Sequence, residues 1–143
     1  MLNILVVDDS LIIRKNLRRM LEELGHKVVA EAKNGIEAIA MYKKSLPALV
    51  TMDITMPEMD GIEVVKLIRA ECQDAKIIMI TSHGQEEKVI DSVRAGASGY
   101  LLKPITIDRL VAAIGKVFPE YARDDSFIDD ADAENGGDTA SDA

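Results

Sequence analysis

The chain of 143 residues has no tryptophan, one cysteine and four prolines, and its aromatics number two Phe and three Tyr. With Cys72 as the single thiol, no disulfide framework can form within the chain. No helix N-terminus or histidine stands near it in sequence, so it reads as an incidental thiol rather than a reactive one. So few rings leave an aliphatic core, which the 48% hydrophobic content supplies. No stretch approaches the roughly 20 apolar residues of a membrane span. The first apolar run ends at Asp8 with no basic segment before it, so it does not read as a secretory signal. A cytoplasmic chain without membrane insertion is expected. An excess of positive charge is lacking too: the formal net charge is -8. Nine of the 25 acidic residues and one of the 17 basic ones lie from Glu120 onward, leaving 16 of each before it. Neither part offers the basic surface that nucleic acid requires.

What the chain does have is strand-like and helix-like segments in alternation. Residues 2–7 form a run that is apolar but for Asn3, as in a strand buried on both faces. Ser10 is placed to cap a helix in which Leu17, Met20, Leu21 and Leu24 repeat at helical spacing, with Gly25 as its C-cap. A strand over 28–32 follows, and Asn34-Gly35 turns the chain into an Ala-rich helix over 36–44, which Pro47 prevents from continuing. The third strand is 48–52. A loop then leads through Gly61 to a helix ending near Cys72. The fourth strand is 76–80, the next helix 85–95 is closed by Gly96, and the fifth strand is 98–102. The last helix, Ile107–Val117, carries Leu110, Val111, Ile114 and Val117 on one face. Strands alternating with helices of about three turns make parallel βαβ units. The expected fold is α/β, a flavodoxin-like doubly wound sheet of five parallel strands in the order 2-1-3-4-5, in three α/β/α layers with five helices. The folded domain is expected over 1–119. Residues 120–143 form an acidic tail with little to bury, expected to be disordered, with Phe127-Ile128 its one apolar pair.

The strand ends carry the chemistry. Asp8 and Asp9 end the first apolar run, Asp53 the third, Thr81 the fourth, and Lys103-Pro104 the fifth. In an open α/β sheet these ends share the carboxyl edge, where sites are built. Three carboxylates converging there repel one another unless a cation lies among them, and an all-oxygen set favours Mg²⁺, Mn²⁺ or Ca²⁺ over zinc. Asp residues also cap helices at such places, but three at strand ends beside a hydroxyl and an ammonium form a pattern that capping does not explain. A lysine there is a mobile point charge suited to a phosphoryl group. Met52, Met56, Met59 and Met79 are expected to fill core gaps. The solvated face beginning Leu11-Ile12-Ile13 lies beside the acidic cluster, where a partner could dock.

Val6-Val7-Asp8-Asp9-Ser10, the stretch from Met52-Asp53 through Met56-Pro57 to Asp60-Gly61, Thr81-Ser82, and Gly99-Tyr100-Leu101-Leu102-Lys103-Pro104 together resemble the receiver domains of two-component response regulators. The resemblance implies that Asp53 is the phosphoacceptor for a sensor or chemotaxis histidine kinase. It implies Mg²⁺ held by Asp9 and Asp53, by Asp8 mainly through water, and by the backbone carbonyl of Thr55. Lys103 would pair with the phosphoryl oxygens and Thr81 would donate to them, while Tyr100 would swing inward as Thr81 moves. That motion would change the surface of the fourth helix, fifth strand and fifth helix. The Lys103-Pro104 bond is expected to be cis, small Ser82 leaves access open, and Thr55 and His83 stand where receivers tune dephosphorylation. His26 is read as an incidental loop residue and not as a phosphodonor.

With no further folded segment after 119, a stand-alone monomeric receiver is expected, a regulator rather than an enzyme. The stretches after Met52 and around Gly84-Gln85 are most similar to stand-alone chemotaxis regulators, whose target is a flagellar motor switch and which a phosphatase can reset. A phosphorelay shuttle to a histidine phosphotransfer protein is the alternative. A haloacid-dehalogenase-type phosphatase, another Mg²⁺-dependent aspartyl nucleophile, would need an Asp where Thr55 stands. An FMN carrier would need a neutral phosphate loop in place of Asp8-Asp9.

Overall fold

The computed structural model describes residues 1–122. Five strands, β1 (Asn3–Val7), β2 (Lys27–Ala32), β3 (Leu49–Asp53), β4 (Ile77–Thr81) and β5 (Gly99–Leu102), alternate with five helices. These are α1 (Leu11–Glu23), α2 (Gly35–Ser45), α3 (Gly61–Glu71), α4 (Glu86–Ala95) and α5 (Ile107–Val117), followed by a 3₁₀ turn at Pro119–Tyr121. All strand pairs are parallel and the order is β2-β1-β3-β4-β5, the doubly wound sheet expected.

The side-chain period of two along the central strands divides the core into two layers. Leu5, Val7, Val50, Met52, Ile77 and Met79 face α2 and α3, where Ala38, Tyr42, Val64, Val65 and Ile68 close the layer. Ile4, Val6, Leu49, Ile78 and Ile80 face the other way and meet Leu17 and Leu21 of α1 and Leu110 and Ile114 of α5. Tyr42 is the one aromatic ring among the buried residues of these two layers. Met52, Met56 and Met79 are buried and Met59 packs against the same cluster, as gap-fillers should. Among the described residues no helix is long and apolar enough to cross a membrane.

Several boundaries move by a residue, for identifiable reasons. β3 and β4 extend to include Asp53 and Thr81, because Ile54 N–H still donates to Ile80 O at 3.1 Å and Lys103 N–H to Thr81 O at 2.7 Å. Asn34 is a helix cap rather than a turn residue: its Oδ1 accepts from Glu37 N–H at 2.8 Å, drawing Gly35 into the helix. A side chain at Gly35 would meet Val64 Cγ2 at 2.8 Å. Leu24 is the C-cap of α1, and Gly25, at φ +90°, takes the left-handed position just beyond it. Gln85 stands outside α4 as its N-cap.

His26 does lie in a loop, but it is not incidental. It is buried, and its Nδ1 accepts from Leu2 N–H at 3.1 Å. Its ring meets Tyr121 edge-on at 5.0 Å, and the Tyr121 hydroxyl contacts the N-terminal amine. The 3₁₀ turn is thereby pinned to the start of β1. The tail from residue 123, including Phe127-Ile128, lies outside the described residues.

Burial and, after it, the N-terminal ammonium push the His26 imidazole below its ordinary 6.5. The unfolded chain therefore binds a proton at this site more readily than the folded one, and the stability that His26 contributes is lost as pH drops below about 6.5. In His26→Gln, which keeps an acceptor and does not titrate, this loss is absent, so between neutral and mildly acidic pH the urea unfolding midpoint of the parent is expected to fall relative to that of the variant.

Candidate functional site

β1 and β3 are neighbours, with Val7 opposite Met52, so the residues that follow them at the carboxyl edge converge. Asp8, Asp9 and Asp53 each bring one carboxylate oxygen to within 4.8 Å of the others. Asp8 and Asp53 are buried and Asp9 is exposed, giving the cluster a closed floor and an open mouth.

The Asp8 carboxylate is held by local structure. Ser10 caps α1, its Oγ accepting from Ile13 N–H at 3.3 Å, while its own N–H donates to Asp8 Oδ1 at 2.9 Å. The other oxygen of Asp8, Oδ2, is buried with no hydrogen-bond partner. A buried carboxylate oxygen without a partner costs free energy, and a hard cation would satisfy it. That oxygen, in an all-oxygen set, is the observation that fits the expected Mg²⁺. Arg14 Nη1 donates to the Asp8 carbonyl at 2.6 Å, and its Nε to Glu31 Oε1 at 3.0 Å; Arg18 Nε reaches Glu31 Oε2 at 2.9 Å. This clamp holds the loop between β1 and α1. Sequence reasoning missed it, since an Arg on a helix face and a Glu on a strand carry no sign of meeting.

On the β3 side, Gly61 opens α3 directly against the end of β3. Its N–H donates to Ile54 O at 2.8 Å, and a Cβ there would lie 2.3 Å from the Asp53 carbonyl oxygen. Any side chain would push α3 off the strand. Asp60 supplies the helix cap, accepting from Glu63 N–H at 3.0 Å.

Lys103 Nζ stands 3.9 Å from Asp53 Oδ1, a loose ion pair over the cluster. The Lys103-Pro104 peptide is cis, as expected. Arg109 Nη1 donates to Leu102 O at 2.9 Å and Pro104 O at 3.1 Å, bracing the loop that carries the lysine. Sequence gave no sign of that brace either.

Thr81 ends β4 and is buried, while Ser82, His83 and Thr55 are exposed around the mouth. Gln85 is drawn in with them. Its Oε1 accepts from Ser82 N–H at 2.8 Å and Thr81 Oγ1 at 3.0 Å, and its Nε2 donates to Thr55 Oγ1 at 2.7 Å. Tyr100 is turned outward, 52% exposed. It lines an open groove with Thr81, Gln85, Val89, Ile90 and Val93. The arrangement thus joins Asp8, Asp9, Asp53 and Lys103 in one cluster, sets Thr81 and Thr55 on a shared bridge, and leaves Tyr100 on the surface.

The electrostatics follow from crowding. Burial, and then the charge of Asp8, push the Asp53 carboxyl from 3.8 to about 7, against the lowering effects of Lys103 and the Thr55 N–H. Asp8 is raised also, chiefly by burial, with the Ser10 N–H opposing.

Without a divalent cation, folded Asp53 holds a proton across 3.8 to about 7 that the unfolded chain has released, so its contribution destabilises increasingly as pH rises through that window. Asp53→Asn is therefore expected to raise the urea midpoint of the metal-free chain above pH 7, and Mg²⁺ to raise that of the parent far more than that of the variant. Gly61→Ala is expected to cost about 1–3 kcal/mol in the same assay.

A family model described as the response regulator receiver domain matches residues 4–115. The chain is 48% identical to the chemotaxis protein CheY of Bacillus subtilis over 113 residues, 79% of this chain and 94% of that one. It is 43% identical to CheY of Thermotoga maritima, over 80% of this chain and 95% of that one. Among solved structures, a LuxR-family two-component response regulator from Aurantimonas matches with a TM-score of 0.78 at 36% identity, over 84% of this chain and 86% of that one. The CheX-CheY-BeF3-Mg complex from Borrelia burgdorferi matches with a TM-score of 0.75 at 32% identity, covering 85% and 90%. A five-stranded 2-1-3-4-5 sheet, an acidic cluster at its carboxyl edge and these matches over most of the chain agree: the protein belongs to the response regulator receiver family, and within it is closely related to the chemotaxis protein CheY.

Proposed function

We propose that this protein is a stand-alone response regulator in which Asp53 accepts a phosphoryl group from a histidine kinase. The observation that carries the reading is the convergence of Asp8, Asp9 and Asp53, with a buried oxygen of Asp8 unpartnered and the Lys103 ammonium 3.9 Å from Asp53. An Asp53 oxygen attacks the phosphorus of a phosphohistidine. The new O–P bond forms as the N–P bond breaks, the electron pair returns to the imidazole nitrogen, and solvent supplies its proton. Lys103 has the stem length to follow the phosphoryl oxygens, and Thr81 has one hydroxyl proton to donate to them. Asp8, Asp9, Asp53 and the Thr55 carbonyl would hold Mg²⁺, which when bound keeps Asp53 ionised and offsets the charge building on the phosphoryl oxygens. Water then attacks the acyl phosphate, the O–P bond breaks, and Asp53 is restored with release of inorganic phosphate. Exposed Thr55 and His83 border the path of that water, and exposed Ser82 leaves it open.

The kinase would dock beside the mouth, where Leu11 and Ile12 of α1 are 52% and 72% exposed. Output would leave through α4, β5 and α5. Tyr100 has room to turn inward when Thr81 moves toward the phosphoryl group, a two-state element biased by a local charge event. Kinship with chemotaxis proteins favours a flagellar motor switch as the target.

Incubating the chain with acetyl phosphate and Mg²⁺ should add the mass of one phosphoryl group, and neither Asp53→Ala nor chelation of the metal should permit it. Lys103→Ala should slow the gain on the order of 10²-fold, as when one preorganised electrostatic contact is lost. A folded parent chain that gains no mass from acetyl phosphate or from a chemotaxis kinase contradicts the reading.

A further inference from the structure

We propose that Gln85 is a positioning residue that holds the Thr81 hydroxyl away from the phosphoryl site and ties its release to the N-terminus of α4; this rests on the function proposed above. The orientation of the Gln85 amide is settled by its partners. Ser82 N–H can only donate, so the atom 2.8 Å from it is the carbonyl oxygen. The same oxygen lies 3.0 Å from Thr81 Oγ1. That leaves Nε2 facing Thr55 Oγ1 at 2.7 Å. One side chain therefore spans from the end of β4 to the loop after β3.

Thr81 has a single hydroxyl proton. Here its partners are the Gln85 oxygen at 3.0 Å and the Ser82 carbonyl at 3.3 Å. To donate to a phosphoryl group on Asp53, Thr81 must give up Gln85, so the two acceptors compete for one proton. The competition has a mechanical consequence. Gln85 is the N-cap of α4, its carbonyl accepting from Val89 N–H at 3.0 Å. Losing Thr81 removes one of the contacts that hold the residue on which α4 begins and leaves those to Ser82 and Thr55, at the end of the groove lined by Val89, Ile90, Val93 and Tyr100. The side chain gives no capping bond to the helix, so removing it takes no hydrogen bond from α4 itself.

The test is a titration with beryllofluoride and Mg²⁺, a phosphoryl mimic, followed by the fluorine NMR signal of the bound anion. Gln85→Met keeps the length of the side chain and removes both of its hydrogen-bonding groups. It is expected to bind the anion about two- to ten-fold more tightly than the parent, the range one net hydrogen bond corresponds to. In a Thr81→Ala background the same substitution is expected to change nothing, since no hydroxyl remains to compete for. Gln85→Ala should give the same sign if the Met variant does not fold. Unchanged or weaker binding overturns the inference, as does an equal gain with and without Thr81, and either result leaves the proposed function standing. A folded parent that binds no beryllofluoride removes the proposed function itself.

Discussion

Three carboxyl groups held at one edge of a sheet disfavour one another's ionisation, and the rest of the site is arranged around that repulsion. The 2-1-3-4-5 order puts β1 and β3 side by side, so Asp8 and Asp53 cannot avoid each other. Burial strengthens the effect by removing water that would screen it. The chain offsets part of the cost with local donors, the Ser10 N–H for Asp8 and the Lys103 ammonium for Asp53. It leaves Asp8 Oδ2 unsatisfied. A buried oxygen without a partner costs free energy that a hard cation would recover.

Around the charges, the backbone is held from both sides. Arg14, Glu31 and Arg18 clamp the loop after β1, and Gly61 lets α3 press against the loop after β3. Arg109 braces the turn carrying Lys103. None of these residues belongs to the acidic cluster. Each removes a freedom the cluster would use to relax, and so keeps the carboxylates in their unfavourable proximity.

The sequence made much of this legible because the patterns are local. Continuous apolar runs marked the central strands, helical spacing marked α1 and α5, and the polar residues ending each run marked the carboxyl edge. Where reading and structure part, a hydrogen bond or a tertiary contact decides. Asn34 reads as a turn residue beside Gly35, yet its Oδ1 accepts from Glu37 N–H and caps α2. His26 looked idle until Leu2 and Tyr121, distant in sequence, enclosed it. Arg14, Arg109 and the reach of Gln85 to Thr55 depend on elements brought together only by the fold, and no spacing rule announces them.

The most direct measurement of the central claim is a crystal structure grown with Mg²⁺ and beryllofluoride. The account predicts beryllium bonded to an Asp53 oxygen, a cation among Asp8, Asp9 and Asp53, Lys103 in contact with a fluoride, and Thr81 turned to another. An intact fold in which the mimic and the cation bind elsewhere, or leave the three carboxylates untouched, would contradict it.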